Sequence, residues 1–202
     1  MKKFFNKVFN KVDFLITIFK NSVTSFIENF YLKLIGVEIG NNCSFRGWTS
    51  FKMSNNSNIK IGKECRFNSK TTSNRIGIRH KCMITTFGND ARLQIGSNSG
   101  FSGVSIGCFK NIVIGNNVNV GANVLITDSD WHLDDPRVSG PKPVFIGDNV
   151  WLGYGVVVMK GVTIGENTII GINSVVTKDI PADAVAAGNP CKVIKLMQST
   201  NS

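Results

Sequence analysis

The sequence predicts a mainly β fold, a parallel β-solenoid preceded by an amphipathic helical segment. Three observations predict it. Aliphatic residues recur every six positions over much of the chain. From residue 36 onward charges thin out, and Gly, Asn and β-branched residues take over. Before that point, residues 1–35 carry a three/four apolar spacing without any Pro or Gly. The expected organisation is a helical segment at 1–35, a solenoid at 36–180 with an extruded loop at about 128–143, and a C-terminal cap and tail at 181–202.

The six-residue ladder is clearest from Ile146, through Leu152, Val158, Ile164, Ile170 and Val176. One position later come Gly147, Gly153, Met159, Gly165, Gly171 and Thr177. Four positions later come Val150, Val156, Val162, Thr168, Ser174 and Ile180. The same phase recurs at Ile114, Val120 and Ile126, and looser fragments begin at Ile39, Ile61 and Ile95. Six is neither a helical period nor simple strand alternation. It fits one short strand plus a corner, three of which close a triangular coil. The aliphatic residue and the small residue at +4 then point inward. Gly beside the corner is expected to relieve backbone strain.

In residues 1–35 the apolar positions 4, 5, 8, 9, 12, 15, 16, 19, 23, 26, 27 and 30 describe one amphipathic helix, or two in sequence. Half of the chain's 14 Phe lie here, with Lys2, Lys3, Lys7, Lys11, Lys20 and Lys33 against Asp13 and Glu28. The expectation is a cap on the solenoid or on a neighbouring subunit, with peripheral contact to an anionic membrane surface as the alternative.

Composition bounds the rest. The 202 residues are 42% hydrophobic and 18% charged, which excludes a fully disordered chain. No apolar run reaches membrane-spanning length, and the start lacks a secretory pattern, so a cytoplasmic chain is expected, membrane-associated if residues 1–35 bind lipid. A net charge of +10 suits phosphorylated ligands. Nucleic acid is not an expected partner, because no nucleic-acid motif is present. Cys43, Cys65, Cys82, Cys108 and Cys191 are odd in number and widely spaced, as buried free thiols are. With only His80 and His132, 52 positions apart, no metal site is expected.

Twenty positions separate Ile126 from Ile146, where one step of six is due. The intervening TDSDWHLDDPRVSGPKP holds three of the five prolines, His132, and Asp128, Asp130, Asp134 and Asp135. An excursion from a regular coil is a candidate functional loop. An acidic cluster can orient an imidazole and fix its proton-accepting tautomer. Asp130 and Asp128 rank ahead of Asp134 for that task. Trp131, beside the histidine, could stack on a sugar ring, and Phe101, Ser102 and Trp48 are further candidates for an acceptor site. Lys178, Lys192 and Lys195 gather near the end of the ladder and could meet phosphates.

The stretch IGDNVWLGYGVVVMKGVTIGENTIIGINSVVTKDIPADAVAAGNPCKVIK, Ile146 to Lys195, resembles the hexapeptide-repeat acyltransferases, specifically the half shared by maltose, galactoside and polysaccharide O-acetyltransferases. The resemblance implies a left-handed β-helix, whereas the general crossover rule alone would favour the right hand. It implies an acetyl-CoA-dependent O-acetyltransferase of a sugar or polysaccharide precursor, with His132 as general base. Tyr154, Ile172, Thr177, Lys178 and Lys192 would contact the coenzyme, with Lys195 in the same basic group. Many relatives carry Ala and Gly where this chain has Ile172 and Asn173. The resemblance also implies a homotrimer with sites between subunits. A structural scaffold would explain the ladder, but neither His132 nor Thr177–Lys178.

Overall fold

A computed structural model describes residues 2–197; residue 1, residues 198–202 of the C-terminal tail, and the side chains of residues 2–10, 12 and 13 in the amphipathic segment lie outside the described residues. One helix, α1, spans Lys2–Leu34, and short strands follow from Glu38 to Leu196. The strands stack into three sheets of 6, 8 and 6 strands, the faces of a triangular prism. Within each face the pairing is parallel, except for the C-terminal hairpin of Ala184–Gly188 with Cys191–Leu196.

Register explains the ladder. On the first face Ile39, Ile61, Ile95, Ile114, Ile146, Ile164 and Ile180 lie over one another. On the second, the column runs Phe45, Phe67, Phe101, Val120, Leu152, Ile170 and Ala186. On the third it runs Phe51, Ile84, Ile106, Ile126, Val158 and Val176. All but the end residues Ile39 and Phe51 are buried, so the core is three apolar columns. Each buried Ile, Leu, Val or Phe contributes roughly 1.5–3 kcal/mol relative to exposure. Phe45, Phe67 and Phe101 stack at 5.1 Å centroid spacing inside the second face. The five cysteines are buried free thiols; Cys43 and Cys65 share an inward corner column with Ser99, Val118 and Val150, where a small residue is needed.

The corner glycines have a different cause from the one expected. The positive φ falls on Asn98, Asn117, Asn149 and Asn167, at 56, 56, 58 and 58°. Asn tolerates this conformation better than other side chains. These amides also form a ladder: Asn98 donates to Asn117 at 2.9 Å, Asn117 to Asn149 at 3.1 Å, Asn149 to Asn167 at 2.9 Å and Asn167 to Asp183 at 2.9 Å. Gly147, two residues before Asn149, is needed for close approach: a Cβ there would lie 2.6 Å from the Glu166 nitrogen of the next rung.

The repeat breaks twice rather than once. Residues 128–143 leave the corner between the third and first faces, between strands Leu125–Thr127 and Val144–Ile146. Residues 69–82 leave the corner between the second and third faces, between Arg66–Asn68 and Met83–Thr86. The second excursion contains His80, and its Asn123 partner two rungs on holds it down: Arg79 N–H donates to Asn123 Oδ1 at 2.9 Å, and Asn123 Nδ2 donates to the Gly77 carbonyl at 2.8 Å.

Helix α1 closes the open end of the prism, but with its polar side. Ser25 Oγ accepts from Phe45 N–H at 2.8 Å, Asn29 Nδ2 donates to the Cys43 carbonyl at 2.9 Å, and Glu28 Oε1 accepts from Thr49 N–H at 2.6 Å. These bonds satisfy a free strand edge that would otherwise invite aggregation. Leu32 adds one buried apolar contact. The apolar stripe of Phe19, Val23, Phe26 and Phe30 faces away from the coil and is exposed. A surface helix ordinarily turns that stripe toward the core; here the arrangement is reversed.

Candidate functional site

Residues 128–143 are fastened at both ends and near the tip. At the start, Asp128 is fully buried and its carboxylate accepts from three backbone N–H groups of the preceding rung's corner, Phe109, Lys110 and Asn111, at 2.7, 2.7 and 2.8 Å. At the end, Lys142 N–H donates to the Asp128 carbonyl at 2.9 Å, and Gly161 N–H to the Lys142 carbonyl at 3.0 Å. In the middle, Lys160 Nζ donates to Asp130 Oδ2 at 2.5 Å and to the Ser139 carbonyl and hydroxyl at 2.7 and 2.8 Å.

Trp131 adds an aromatic anchor. Its φ is 73°, in the left-handed region that bulky residues seldom occupy. Its indole makes edge contacts with Phe87 and Phe109, at 4.8 and 5.4 Å, and those two rings stack at 4.7 Å. It also lies against Gly107, where a Cβ would be 2.5 Å from Cζ2. Trp131 keeps 44% exposure, so part of the ring faces outward.

His132 follows directly. It is exposed, its N–H donates to the Asp130 carbonyl at 3.0 Å, and its carbonyl accepts from Asp135 N–H at 3.1 Å. Among the described residues its ring nitrogens have no hydrogen-bond partner within the chain. The loop thus holds the backbone of His132 while leaving the imidazole free.

The structure corrects three expectations. Asp128 is a structural clamp: its oxygens are committed to backbone donors, and it does not orient the imidazole. Phe101 cannot face a sugar, because its ring is fully buried in the aromatic stack of the second face. Ser102 is nearly buried and accepts from Asn68 Nδ2 and Asn74 Nδ2 at 3.1 and 3.2 Å, so its hydroxyl ties down the 69–82 excursion. Asp130 approaches the histidine through its backbone, while its carboxylate is held by Lys160. Asp134 is exposed, without a hydrogen-bond partner among the described residues.

The residues expected to meet a coenzyme divide between two edges of the third face. Tyr154 and Ile172 occupy the corner between the second and third faces on successive rungs, where Asn173 N–H donates to the Tyr154 carbonyl at 2.8 Å. Lys192 pairs with Ala187 in the hairpin that continues this edge, and Lys195 pairs with Val185 further along the same hairpin; both lysines are exposed. Ile172 projects outward at 68% exposure. Thr177 and Lys178 instead lie at the corner between the third and first faces, the same edge from which the His132 loop departs, and both are exposed.

Two further side chains shape this region with little mark in the sequence, Lys160 and Arg79. Lys160 follows Met159, which replaces the Gly of the ladder on the rung after the loop; that irregularity was the available signal. Arg79 places its guanidinium 5.9 Å from the Tyr154 ring centroid, bringing a cation to the corner that holds Tyr154 and Ile172. No local pattern marks it, because the contact joins rungs 75 positions apart. Cys108 lies under the loop, but burial, with the Asp128 charge second, pushes its thiol up to about 12. It is therefore a poor nucleophile.

Comparison with known proteins agrees with this architecture. Residues 143–178 match the bacterial transferase hexapeptide (six repeats). Galactoside O-acetyltransferase of Escherichia coli K12 is 46% identical over 88 residues, 42% of this chain and 43% of that protein. Polysialic acid O-acetyltransferase of Escherichia coli O1:K1 is 42% identical over 109 residues, 52% of this chain and 34% of that protein. The chain spans less than half the length of these curated relatives. The N-acyltransferase AntD of Bacillus cereus, solved with dTDP and 3-hydroxybutyryl-CoA, superposes with a TM-score of 0.60 at 16% identity, over 84% of this chain and 88% of that one. A hexapeptide-repeat acetyltransferase of Vibrio cholerae O1 biovar eltor, solved with acetyl coenzyme A, gives 0.54 at 23% identity, over 86% and 78%. At those identities the two structures speak for the fold. With its three parallel faces and these structural neighbours, the chain is a left-handed β-helix, and its residues 143–178 carry the bacterial transferase hexapeptide repeat.

Proposed function

We propose that this chain transfers an acetyl group from acetyl-CoA to a hydroxyl of a sugar or polysaccharide precursor, with His132 as general base. The observation that carries the reading is the loop itself. Asp128, Asp130, Trp131, Ser139 and Lys142 are each held by the coil, whereas the His132 imidazole has no partner among the described residues. A base must keep a free nitrogen, and this loop leaves both ring nitrogens free while its bonds hold the backbone that carries them. The names of the galactoside and polysialic acid relatives favour a hydroxyl on a glycan as acceptor.

The chemistry is a direct transfer. The imidazole takes the proton of the acceptor hydroxyl as its oxygen attacks the thioester carbonyl. The tetrahedral oxyanion collapses, the carbon–sulfur bond breaks, and the imidazolium returns its proton to the departing thiolate. Corner N–H groups that face outward can stabilise the oxyanion. Arg79, Lys192 and Lys195 supply cations for the coenzyme's phosphates at one edge, and Lys178 at the other.

The split of these groups over two edges favours a cyclic homotrimer, in which the loop of one subunit meets the Tyr154–Ile172 edge of the next. Closed cyclic symmetry suits such a heterologous contact. The exposed Ile172 at this edge narrows the groove compared with an Ala at the same position.

The test is thiol release from acetyl-CoA with galactosides and sialic acid oligomers as acceptors. His132→Ala should lose roughly 10²-fold or more in kcat while retaining coenzyme A binding by thermal shift. Full turnover in that variant would remove His132 as the base. No thiol release with any hydroxyl acceptor would remove the O-acetyl transfer.

A further inference from the structure

We propose that helix α1 is an in-plane docking surface for an anionic lipid bilayer, which seats the solenoid end-on against the membrane. The inference does not depend on the reaction assigned above. It starts from the direction of the bonds that hold the helix. In a parallel sheet the interstrand hydrogen bonds run from rung to rung, along the axis of the coil. Ser44 N–H uses that direction to reach the Cys65 carbonyl of the second rung at 2.9 Å. Phe45 N–H and the Cys43 carbonyl use the opposite direction and find Ser25 and Asn29 of α1. The helix therefore lies across the end of the prism, and its opposite side points away from the coils.

That opposite side is apolar and aromatic. Phe19, Phe26 and Phe30 are 70, 77 and 60% exposed, with Val23 on the same stripe. An open groove beside it, of about 470 Å³, is walled by Ile27, Tyr31, Trp48 and Phe51 and has Lys81 at its rim. Lys20 and Lys70 border the other flank. Over residues 1–35 the sequence has six lysines against Asp13 and Glu28. Glu28 is buried under the helix, so it does not oppose the basic rim. An exposed aromatic stripe bordered by cations is the pattern of a helix lying in the headgroup region of an anionic membrane. No helix among the described residues is long and apolar enough to cross a membrane, so the contact is with its surface.

A second copy is the competing occupant, because Ile16, Phe19, Val23, Phe26 and Phe30 alternate three- and four-residue steps like a coiled-coil seam. The geometry disfavours it. In the cyclic assembly proposed above, about an axis parallel to the coil, all copies of one ring present this face in the same direction, and only a second ring stacked end to end could cover it. The faces then form one plane instead of closing on each other. A plane of aromatic residues with basic borders complements a bilayer.

The experiment uses the full chain, with vesicles of phosphatidylcholine alone or mixed with phosphatidylglycerol, read by co-sedimentation. The chain should sediment with the anionic vesicles, about tenfold more weakly with neutral ones, and less as salt rises. The double variant Phe26→Glu/Phe30→Glu, at positions already in solvent, should keep its β circular dichroism and its sedimentation-velocity mass but lose vesicle binding. Lys20→Glu/Lys33→Glu should lose the preference for the anionic vesicles, which keeps the test decisive if the first variant misfolds. Absence of binding to anionic vesicles would overturn the proposal, as would binding unchanged in either variant. A fall in mass for Phe26→Glu/Phe30→Glu, without vesicle binding by the parent chain, would assign the face to a second copy instead.

Discussion

The Lys160 ammonium lies 2.5 Å from Asp130 Oδ2 and reaches Ser139 on the returning arm of the same loop. One side chain from the next rung thus clamps both arms around His132, two residues from Asp130. The lysine side chain is only 12% exposed and Asp130 33%, so water screens the pair less than it would at an open surface.

Lys160→Met should therefore loosen the loop while leaving the coil intact. Misplacing a reacting group by even an ångström can cost about 10²-fold in rate. The expected result is a fall of that order in kcat, little change in the KM for acetyl-CoA, and faster proteolysis within residues 128–143. Lys160→Arg should recover part of the rate. A purely structural role would instead lower the melting temperature and raise KM together.

Asp128 makes a contrasting case. Its three backbone donors would face an amide in Asp128→Asn, with one acceptor oxygen where there were two. Leaving a buried donor unsatisfied costs about 1–3 kcal/mol. The variant should melt earlier, and any activity lost should track the folded fraction. Normal melting with a 10³-fold loss of kcat would reinstate Asp128 as a participant in the chemistry.

The degree to which the sequence revealed this protein follows from the range of the interactions. The coil was legible because Ile146, Ile164 and Ile180 repeat one constraint, a fixed inward position per rung, and repetition makes a local pattern visible. The extruded loop that carries His132 was legible because it interrupts that pattern. The burial of Phe101 is written in the ladder as well, since it stands six residues after Ile95, at the inward phase and in register with Phe67; its aromatic character suggests a sugar contact only when that phase is set aside. The 69–82 excursion was missed because the early rungs vary in length, so no strict period exposed the gap. The reversed docking of α1 was hidden for another reason. Its apolar spacing shows that a stripe exists, but the inward placement of Ser25, Glu28 and Asn29 depends on donors and acceptors of the first rung, at Phe45, Thr49 and Cys43, that no periodicity marks.

The asparagine ladder predicts an order of costs at one corner. Asn149→Ala removes two side-chain bonds and forces Ala into φ 58°, which costs roughly 1–2 kcal/mol for the backbone alone. Asn149→Gly loses the bonds but accepts the angle, so it should destabilise less. Gly147→Ala should be the most damaging of the three, because its Cβ meets backbone of the next rung rather than a side chain that can turn away. Urea unfolding of the three variants checks the order. Equal losses would mean that the rungs adjust their spacing and that close approach is not the reason for Gly147.

Glu28 predicts a pH dependence at the helix–coil junction. Burial pushes its carboxyl up from 4.5 to about 7, partly offset by the hydrogen bond from Thr49 and the charge of Lys81. One oxygen accepts from Thr49 N–H, and the other has no partner among the described residues. In the unfolded chain the group titrates near 4.5, so between that value and about 7 the folded protein binds more proton than the unfolded one. The contribution to stability is fully present below 4.5 and is lost as pH rises to about 7, beyond which it stays constant. Docking of α1 should be tighter at pH 5 than at pH 8, read as slower amide exchange at Phe45 and Thr49, whose N–H groups the helix covers. Glu28→Gln retains an acceptor for Thr49 but has no proton to lose. Its exchange rates, corrected for intrinsic chemistry, should not change with pH, and at pH 8 the variant should hold the helix more firmly than the parent. A parent chain whose corrected exchange at these two amides is the same at both pH values would show that Glu28 is charged throughout, and that the junction tolerates a buried carboxylate.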